Sequence, residues 1–132
     1  MSIERELELR LAETEDALVE RKPTADRDLV RKYVCAFANS IRHPDTGVLF
    51  LGVDNSGNPS GKIPDPEKTQ IDVRSWITAC YPAITGVQTY ALTIDGRQVV
   101  AAVVPESRNR PLHGAGFRPE WPRNADRQRV AV

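Results

Sequence analysis

An almost unbroken run of apolar residues, GVLFLGVD, occupies residues 47–54. It opens at a glycine and ends in the turn-rich segment DNSGNPSG, so it has the length of a strand rather than that of a helix. Successive side chains of a strand point to opposite faces of a sheet, and here nearly all of them are apolar. The run therefore predicts a central strand that is covered on both faces.

The segment SIERELELRLAE at the start of the chain fits two patterns. Ile3, Leu7 and Leu11 recur at helical spacing, whereas Leu7, Leu9 and Leu11 alternate as they would in a strand. We expect a helix, because the segment consists of good helix formers.

A short strand and a longer helix are predicted next. ALVER, residues 17–21, is typical of a strand and is stopped by Pro23. TADRDLVRKYVCAFANS predicts a helix with Thr24 as its N-cap and with Asp26 and Asp28 in its first turn. The apolar stripe of this helix consists of Leu29, Val30, Tyr33, Val34 and Phe37.

The second half of the chain predicts a third helix and a β-hairpin. Asp65 and Pro66 form a typical helix start, and the helix should end before Pro82. Its apolar face consists of Val73, Trp76, Ile77 and Cys80. VQTYALTI and RQVVAAVVP flank Asp95-Gly96, a dipeptide that favours a two-residue hairpin turn.

This order of elements predicts an α/β (α+β) fold, a single mixed-sheet sandwich with helices packed on a sheet of about four to six strands and a C-terminal β-hairpin. With 132 residues the chain fits one domain, spanning 1–132. It has no apolar run long enough to span a membrane and no secretory leader, so we expect a cytoplasmic protein without a membrane partner.

The formal net charge is zero, but the charges are unevenly distributed. Residues 1–20 hold seven acids against two arginines, whereas residues 107–132 hold six arginines against two acids. The Arg-rich segment fits either a phosphate-contacting surface or a solvated, poorly ordered tail. Arg108 and Arg110 follow directly after the last predicted strand, and they are the predicted phosphate contacts.

Two common kinds of catalytic site find little support. GNPSGK, residues 57–62, resembles a phosphate loop, but Pro59 removes an amide donor and Ile63 stands where Ser or Thr would hold magnesium, so we expect a turn. His43 and His113 lie far apart in predicted loops, so a zinc centre or a Ser/His/Asp triad has no local support in the sequence.

The two cysteines, Cys35 and Cys80, fall in predicted helices and have neither metal-type nor redox-type spacing. We expect them to fill the core in a reducing compartment.

Carboxylates are the remaining candidates for metal-binding or catalytic residues. Glu15 and Glu20 bracket the junction between the first helix and the first strand, where a bend could bring them to one ion. Asp54 follows the apolar strand, at the sheet edge where α/β proteins tend to bind ligands. Such oxygen ligands suit Mg²⁺ or Mn²⁺, and Arg21 and Lys22 could contact phosphate. Ordinary surface acids remain the alternative interpretation.

Five segments occur in a characteristic order and spacing: ETEDALVERK, VRKYVCAFANS, GVLFLGVDNSGNPSG, YPAI and RQVVAAVVPESRNRP. In these segments the chain resembles the Schlafen-type AlbA domain. The resemblance covers about residues 13–111, which would form the core of the domain, and leaves 112–132 as an irregular Arg-rich tail.

The resemblance implies a metal-dependent endoribonuclease that acts on transfer RNA or other structured RNA. Its acidic triad, serving both catalysis and Mg²⁺ or Mn²⁺ binding, would be Glu15, Glu20 and Asp54. Two positions depart from the family pattern: the insert IRHPDT precedes a single Gly47, and Arg21 replaces the usual aromatic residue.

The predicted partner is nucleic acid, RNA rather than DNA. Schlafen nucleases hold RNA between two domains of this kind. A chain with one such domain would therefore have to form a homodimer to supply the second. A non-catalytic DNA- or RNA-binding regulatory module and a dimerising protein-interaction domain are the two alternative functions.

Overall fold

The computed structural model describes residues 2–12, 18–78, 80 and 84–106. Helices and strands alternate over the first two thirds of this part of the chain, and a hairpin follows. The elements are α1 (Ile3–Ala12), β1 (Val19–Lys22), α2 (Arg27–Ser40), β2 (Gly47–Leu51), α3 (Pro66–Ile77), β3 (Gln88–Ile94) and β4 (Arg97–Val104). The predicted fold class, helices packed on a mixed sheet of four strands, is confirmed.

The sheet has the strand order β1-β2-β4-β3. β1 and β2 run parallel and are joined through α2, whereas β4 runs antiparallel to both β2 and β3. β2 therefore has a neighbour on each side, and all five of its residues are buried. The prediction of a central strand is confirmed, but the strand ends at Leu51, before Asp54, because Gly52 turns the chain with a φ of 94°.

Alternate side chains of β2 enter two separate apolar layers. Leu49 and Leu51 pack with α2 and α3 on one face of the sheet. Val48 and Phe50 pack under α1 on the other face. Each fully buried side chain of this size stabilises the folded state by about 1.5–3 kcal/mol relative to an exposed one. This gain explains why the strand carries apolar residues on both faces.

The predicted first helix is confirmed as α1. Leu7 and Leu11 are buried against the sheet, while Ile3, the third member of the predicted stripe, stays at the surface. Arg10 in the last turn of α1 fixes the helix by donating to the Thr46 side chain at 3.1 Å and to the Leu18 carbonyl at 3.2 Å. Two buried leucines and the contacts of Arg10 thus help to hold α1 on the sheet.

The N-terminus of α2 differs from its prediction. The N-cap is Asp26 rather than Thr24, because the Asp26 carboxylate accepts a hydrogen bond from the Asp28 amide at 3.0 Å. Three members of the predicted apolar stripe, Val30, Val34 and Phe37, are buried, whereas Leu29 and Tyr33 are only partly buried.

The start of α3 is as predicted, and its end is not. Asp65 caps the helix through the Lys68 amide, and Pro66 occupies the first turn. The helix ends at Ile77, so Cys80 lies beyond it rather than inside it. The Cys80 amide donates to the Ile77 carbonyl at 3.1 Å, a tight-turn bond that ends the helical pattern.

The predicted hairpin is also present. Asp95 and Gly96 both have positive φ, 52° and 78°, which is the conformation that a two-residue turn between twisted strands requires. Within the described ranges no helix combines the length and the apolarity needed to cross a bilayer.

Candidate functional site

The carboxyl ends of the parallel strands β1 and β2 form one corner of the sheet. The Lys22 carbonyl at the end of β1 accepts hydrogen bonds from the amides of Gly52 at 2.8 Å and Val53 at 3.0 Å. Asp54 directly follows Val53 in the chain, so its backbone lies next to the end of β1. Ligands of α/β proteins bind at edges of this kind.

The side chains of β1 alternate between the two faces of the sheet. Lys22 lies on the α2 side, where its ammonium group is 5.0 Å from the centroid of the Tyr33 ring. Glu20, two residues earlier, lies on the same side, and its Oε2 is 3.3 Å from Lys22 Nζ. A carboxylate, an ammonium group and an aromatic ring are thus gathered beside the end of β1.

Lys22 is held as a cation. Burial acts to lower its pKa, but the hydrogen bonds and charges of Glu20 and Tyr33 outweigh burial, so that the pKa of Lys22 is raised. The ammonium group is a permanent positive charge at neutral pH, as a phosphate contact requires.

Arg21 lies on the opposite face and in the interior. Only 7% of it is exposed, and its Nη2 donates to the Leu11 carbonyl of α1 at 2.9 Å. This guanidinium therefore helps to fasten α1 to the sheet. The predicted phosphate contact by Arg21 would require the side chain to leave this position.

Asp54 closes the loop that follows β2. Its Oδ1 accepts hydrogen bonds from the amides of Ser56 at 2.9 Å and Asn58 at 3.0 Å. The backbone adds a bond from the Asp54 amide to the Asn58 carbonyl at 2.8 Å. The segment is a tight turn, as predicted, and the second carboxylate oxygen, Oδ2, takes no part in these bonds.

The chain segments of three predicted site residues, Glu20, Lys22 and Asp54, thus meet at one corner, whereas Arg21 is buried on the opposite face of the sheet. The remaining predicted site residues, Glu15, Arg108 and Arg110, lie outside the described residues, as does His113. Within the described part of the chain, no group of three His, Cys, Asp or Glu side chains is arranged to hold a metal ion. The acidic triad accordingly stays a prediction.

The side chains of Glu20 and Asp54 are of the ligand type that suits a hard divalent cation. Carboxylate oxygens are the ligands that Mg²⁺ and Mn²⁺ prefer, and both described acids offer them. Asp54 keeps Oδ2 outside the loop-closing bonds, whereas the Oε2 of Glu20 would exchange its contact with Lys22 for a cation.

Next to the Asp54 loop, an open groove of about 410 Å³ lies between α1 and the β3–β4 turn. Arg5, Glu8 and Asp95 line it together with Gly57 of the loop. Charges of both signs line the groove, so it offers a polyanion no uniformly positive surface.

Two features of the described residues escaped sequence reasoning. Tyr33 was assigned to the core stripe of α2, although its ring lies under the Lys22 ammonium group. Cys35 and Cys80, expected as separate core residues, lie side by side with their Sγ atoms 2.8 Å apart. Neither contact follows from spacing, because each depends on how separate elements pack in three dimensions.

The geometry defines an α+β domain with helices on both faces of a mixed sheet and a charged corner at the carboxyl ends of its parallel strands. The model of the family described as "Schlafen, AlbA_2" matches residues 13–130. The chain belongs to this family, as its resemblance to the Schlafen-type AlbA domain predicted.

Solved structures with the same fold include two bacterial proteins. The N-terminal domain of a protein from Nitrosomonas europaea related to the ATP-dependent DNA helicase RecG is 26% identical, with a TM-score of 0.65, and the match covers 100% of this chain and 95% of that one. The DIP2311 protein from Corynebacterium diphtheriae is 17% identical, with a TM-score of 0.53 over 83% of this chain and 23% of that one. A search of curated proteins gives no match.

Proposed function

We propose that this domain binds nucleic acid at the corner formed by Glu20, Lys22 and Asp54, and that it cleaves RNA there with the help of a divalent metal ion. Membership of the Schlafen, AlbA_2 family and the similarity to a domain of a protein related to a DNA helicase support a nucleic-acid partner. The observation that carries the proposal is the Glu20–Lys22 ion pair near the carboxyl end of β1, where the backbone of the segment leading to Asp54 is bonded to the Lys22 carbonyl.

Each side chain at the corner has a defined task in this proposal. Glu20 and Asp54, with the predicted Glu15, would hold Mg²⁺ or Mn²⁺, and the ion would supply an activated water and neutralise charge on the phosphate. Lys22 binds a phosphate oxygen, and the Tyr33 ring keeps its ammonium group in place. Arg108 and Arg110 are the proposed contacts to the neighbouring backbone phosphates.

A second candidate function is a non-catalytic nucleic-acid-binding module. The contacts of the two acids favour it, because Asp54 closes its own loop and Glu20 pairs with Lys22. In that case the acids shape the surface and keep Lys22 in position, and no cleavage occurs.

Substitutions that remove charge but keep shape distinguish the two functions. The purified domain and its Glu20→Gln and Asp54→Asn variants are incubated with transfer RNA and Mn²⁺ or Mg²⁺, with and without a chelator. The matched control is Glu67→Gln, which removes an exposed acid in the first turn of α3. We expect the wild type and the control to cleave the RNA only with metal, and both site variants to leave it intact.

Binding of uncleaved RNA, measured without metal, completes the test. The nuclease proposal predicts that Asp54→Asn binds as well as the wild type or more tightly, because repulsion of phosphate falls. Salt-sensitive binding with intact RNA in every lane would establish the non-catalytic module instead. No binding even at low salt would contradict both candidates.

The preference for RNA and the homodimer are further parts of the proposal. Competition between transfer RNA and duplex DNA of equal length for the same protein tests the first, with stronger competition by RNA expected. The mass in solution, with and without RNA, tests the second, with twice the mass of the chain expected for the RNA-binding form.

A further inference from the structure

Two cysteines that are 45 residues apart in sequence meet in the interior. Cys35 lies on α2 and Cys80 follows the end of α3, and their Sγ atoms are 2.8 Å apart. Both are free thiols, with 6% and 4% of each residue exposed. The fold therefore places the two sulfur atoms in direct contact without a bond between them.

The surroundings of the pair separate the two thiols chemically. The pKa of Cys80 is lowered, first by its hydrogen bond with Cys35 and also by the positive charge of Arg31, while burial acts in the opposite direction. The pKa of Cys35 is raised by the same hydrogen bond and by burial. These opposite directions favour the thiolate on Cys80 rather than on Cys35, although the charge of Arg31 acts on both sulfur atoms.

Arg31 supplies a fixed positive charge near the sulfur atoms. It lies one turn before Cys35 on the same helix, only 9% of it is exposed, and its Nη2 is held by Asp28 Oδ1 at 3.0 Å. A nearly buried guanidinium stabilises a thiolate more than an exposed one does, because water screens it less.

We propose that Cys35 and Cys80 are a redox modification site, at which a small peroxide converts the two thiols to a reversible intramolecular disulfide. A disulfide needs its sulfur atoms at about 2.05 Å, so the two must approach each other by less than about 1 Å from where they lie. The two-residue site goes beyond the proposed nucleic-acid function and does not depend on it.

The oxidation balances with hydrogen peroxide as the oxidant. The Cys80 thiolate attacks one peroxide oxygen, the O–O bond breaks, and Cys80 becomes a sulfenic acid while hydroxide leaves and takes up a proton. The Cys35 sulfur, on losing its proton, then attacks the Cys80 sulfur and displaces its oxygen as a second water molecule. One peroxide is reduced to two waters, and two thiols are oxidised to one disulfide.

The bond would join α2 to the segment after α3 and close a long loop of the chain. Closing such a loop restricts the unfolded chain more than the folded one, so the oxidised protein gains stability.

The wild-type protein is titrated with hydrogen peroxide and then denatured for thiol counting and mass measurement. We expect both thiols to disappear together, with a mass decrease of two hydrogen atoms and no covalent dimer. Dithiothreitol should restore both thiols, and the melting temperature of the oxidised form should be higher by about 5–15 °C. Thiols that survive peroxide, or that become separate sulfinic acids, would overturn the proposal.

The single variants Cys35→Ala and Cys80→Ala provide the control. With Cys80 alone, peroxide should leave a sulfenic acid that dimedone traps, whereas Cys35 alone should react more slowly. Equal trapping of the two lone cysteines would contradict the assignment of Cys80 as the nucleophile. If a variant fails to fold, the wild-type titration still decides whether the disulfide forms.

Discussion

Asp54 combines two tasks in one carboxylate. Its Oδ1 satisfies two backbone amides of the loop after β2, while its charge is proposed to help hold a metal ion. An asparagine can keep the same acceptor oxygen but not the charge. The structural task and the proposed catalytic task can therefore be separated by the choice of substitution.

We predict that Asp54→Ala lowers the free energy of unfolding by about 1–2 kcal/mol, because two loop amides lose their acceptor. Asp54→Asn should change it by less than about 0.5 kcal/mol, because the amide oxygen can still accept both bonds. Urea unfolding followed by circular dichroism measures both values. Equal losses for the two variants would show that the charge, and not the acceptor, stabilises the loop.

Among the elements, β2 approaches α2 closely at its first residue. A Cβ added at Gly47, the first residue of β2, would lie 2.5 Å from Cγ of Phe37 on α2. The glycine is required by this close approach of the strand to an aromatic ring, since its φ is not in the left-handed region.

We predict that Gly47→Ala lowers the free energy of unfolding by about 1–3 kcal/mol through overpacking. Phe37→Ala removes Cγ and Cδ1, the two atoms nearest to the new methyl group, so the double variant should lose less stability than the two single variants together. A double-mutant cycle in urea measures this coupling. Strict additivity would mean that the ring is not what excludes a side chain at residue 47.

Elements with strong local signals could be predicted from the sequence. The apolar run of β2 and the Asp95-Gly96 turn carry their own evidence, so both were predicted correctly. The N-cap of α2 was not, because Thr24 and Asp26 are both good caps and the choice depends on which one reaches a free amide. The end of α3 before Cys80 was not predicted either, because it depends on a turn for which the local sequence carries no signal.

The candidate site was predictable only in part. The family resemblance pointed to Glu20 and Asp54, and the structure brings their chain segments to one corner. The burial of Arg21 could not be predicted, because alternation along a strand separates its two faces without showing which face a helix will cover. The position of Tyr33 under Lys22 depends on the packing of α2 against β1, which is a tertiary property.

The molecule as a whole carries no net charge, with 18 basic and 18 acidic residues. Attraction of a polyanion must therefore arise from a local arrangement of cations and not from the overall field. Lys22 and the predicted contacts Arg108 and Arg110 are a small set, so binding of nucleic acid should respond only moderately to salt.

We predict that the logarithm of the RNA-binding constant falls with the logarithm of the salt concentration with a slope of about −2 to −3, as expected for three phosphate contacts. Lys22→Gln should make the slope shallower by about 0.7–0.9. The control Lys68→Gln, at an exposed lysine of α3 that pairs with Asp72, should leave it unchanged. Fluorescence anisotropy at increasing KCl measures the slopes, and a slope unaffected by Lys22→Gln would remove this residue from the interface.

The pairing of β2 with β4 sets a condition on biosynthesis. During translation β2 leaves the ribosome long before β4, its neighbour through the Gly47–Val104 register, has been made. The nascent chain must therefore carry one open edge of an apolar strand until the hairpin emerges. The sheet can close only after residue 104 has cleared the exit tunnel, so a chaperone that shields nascent strands would have to hold this chain almost to the end of β4.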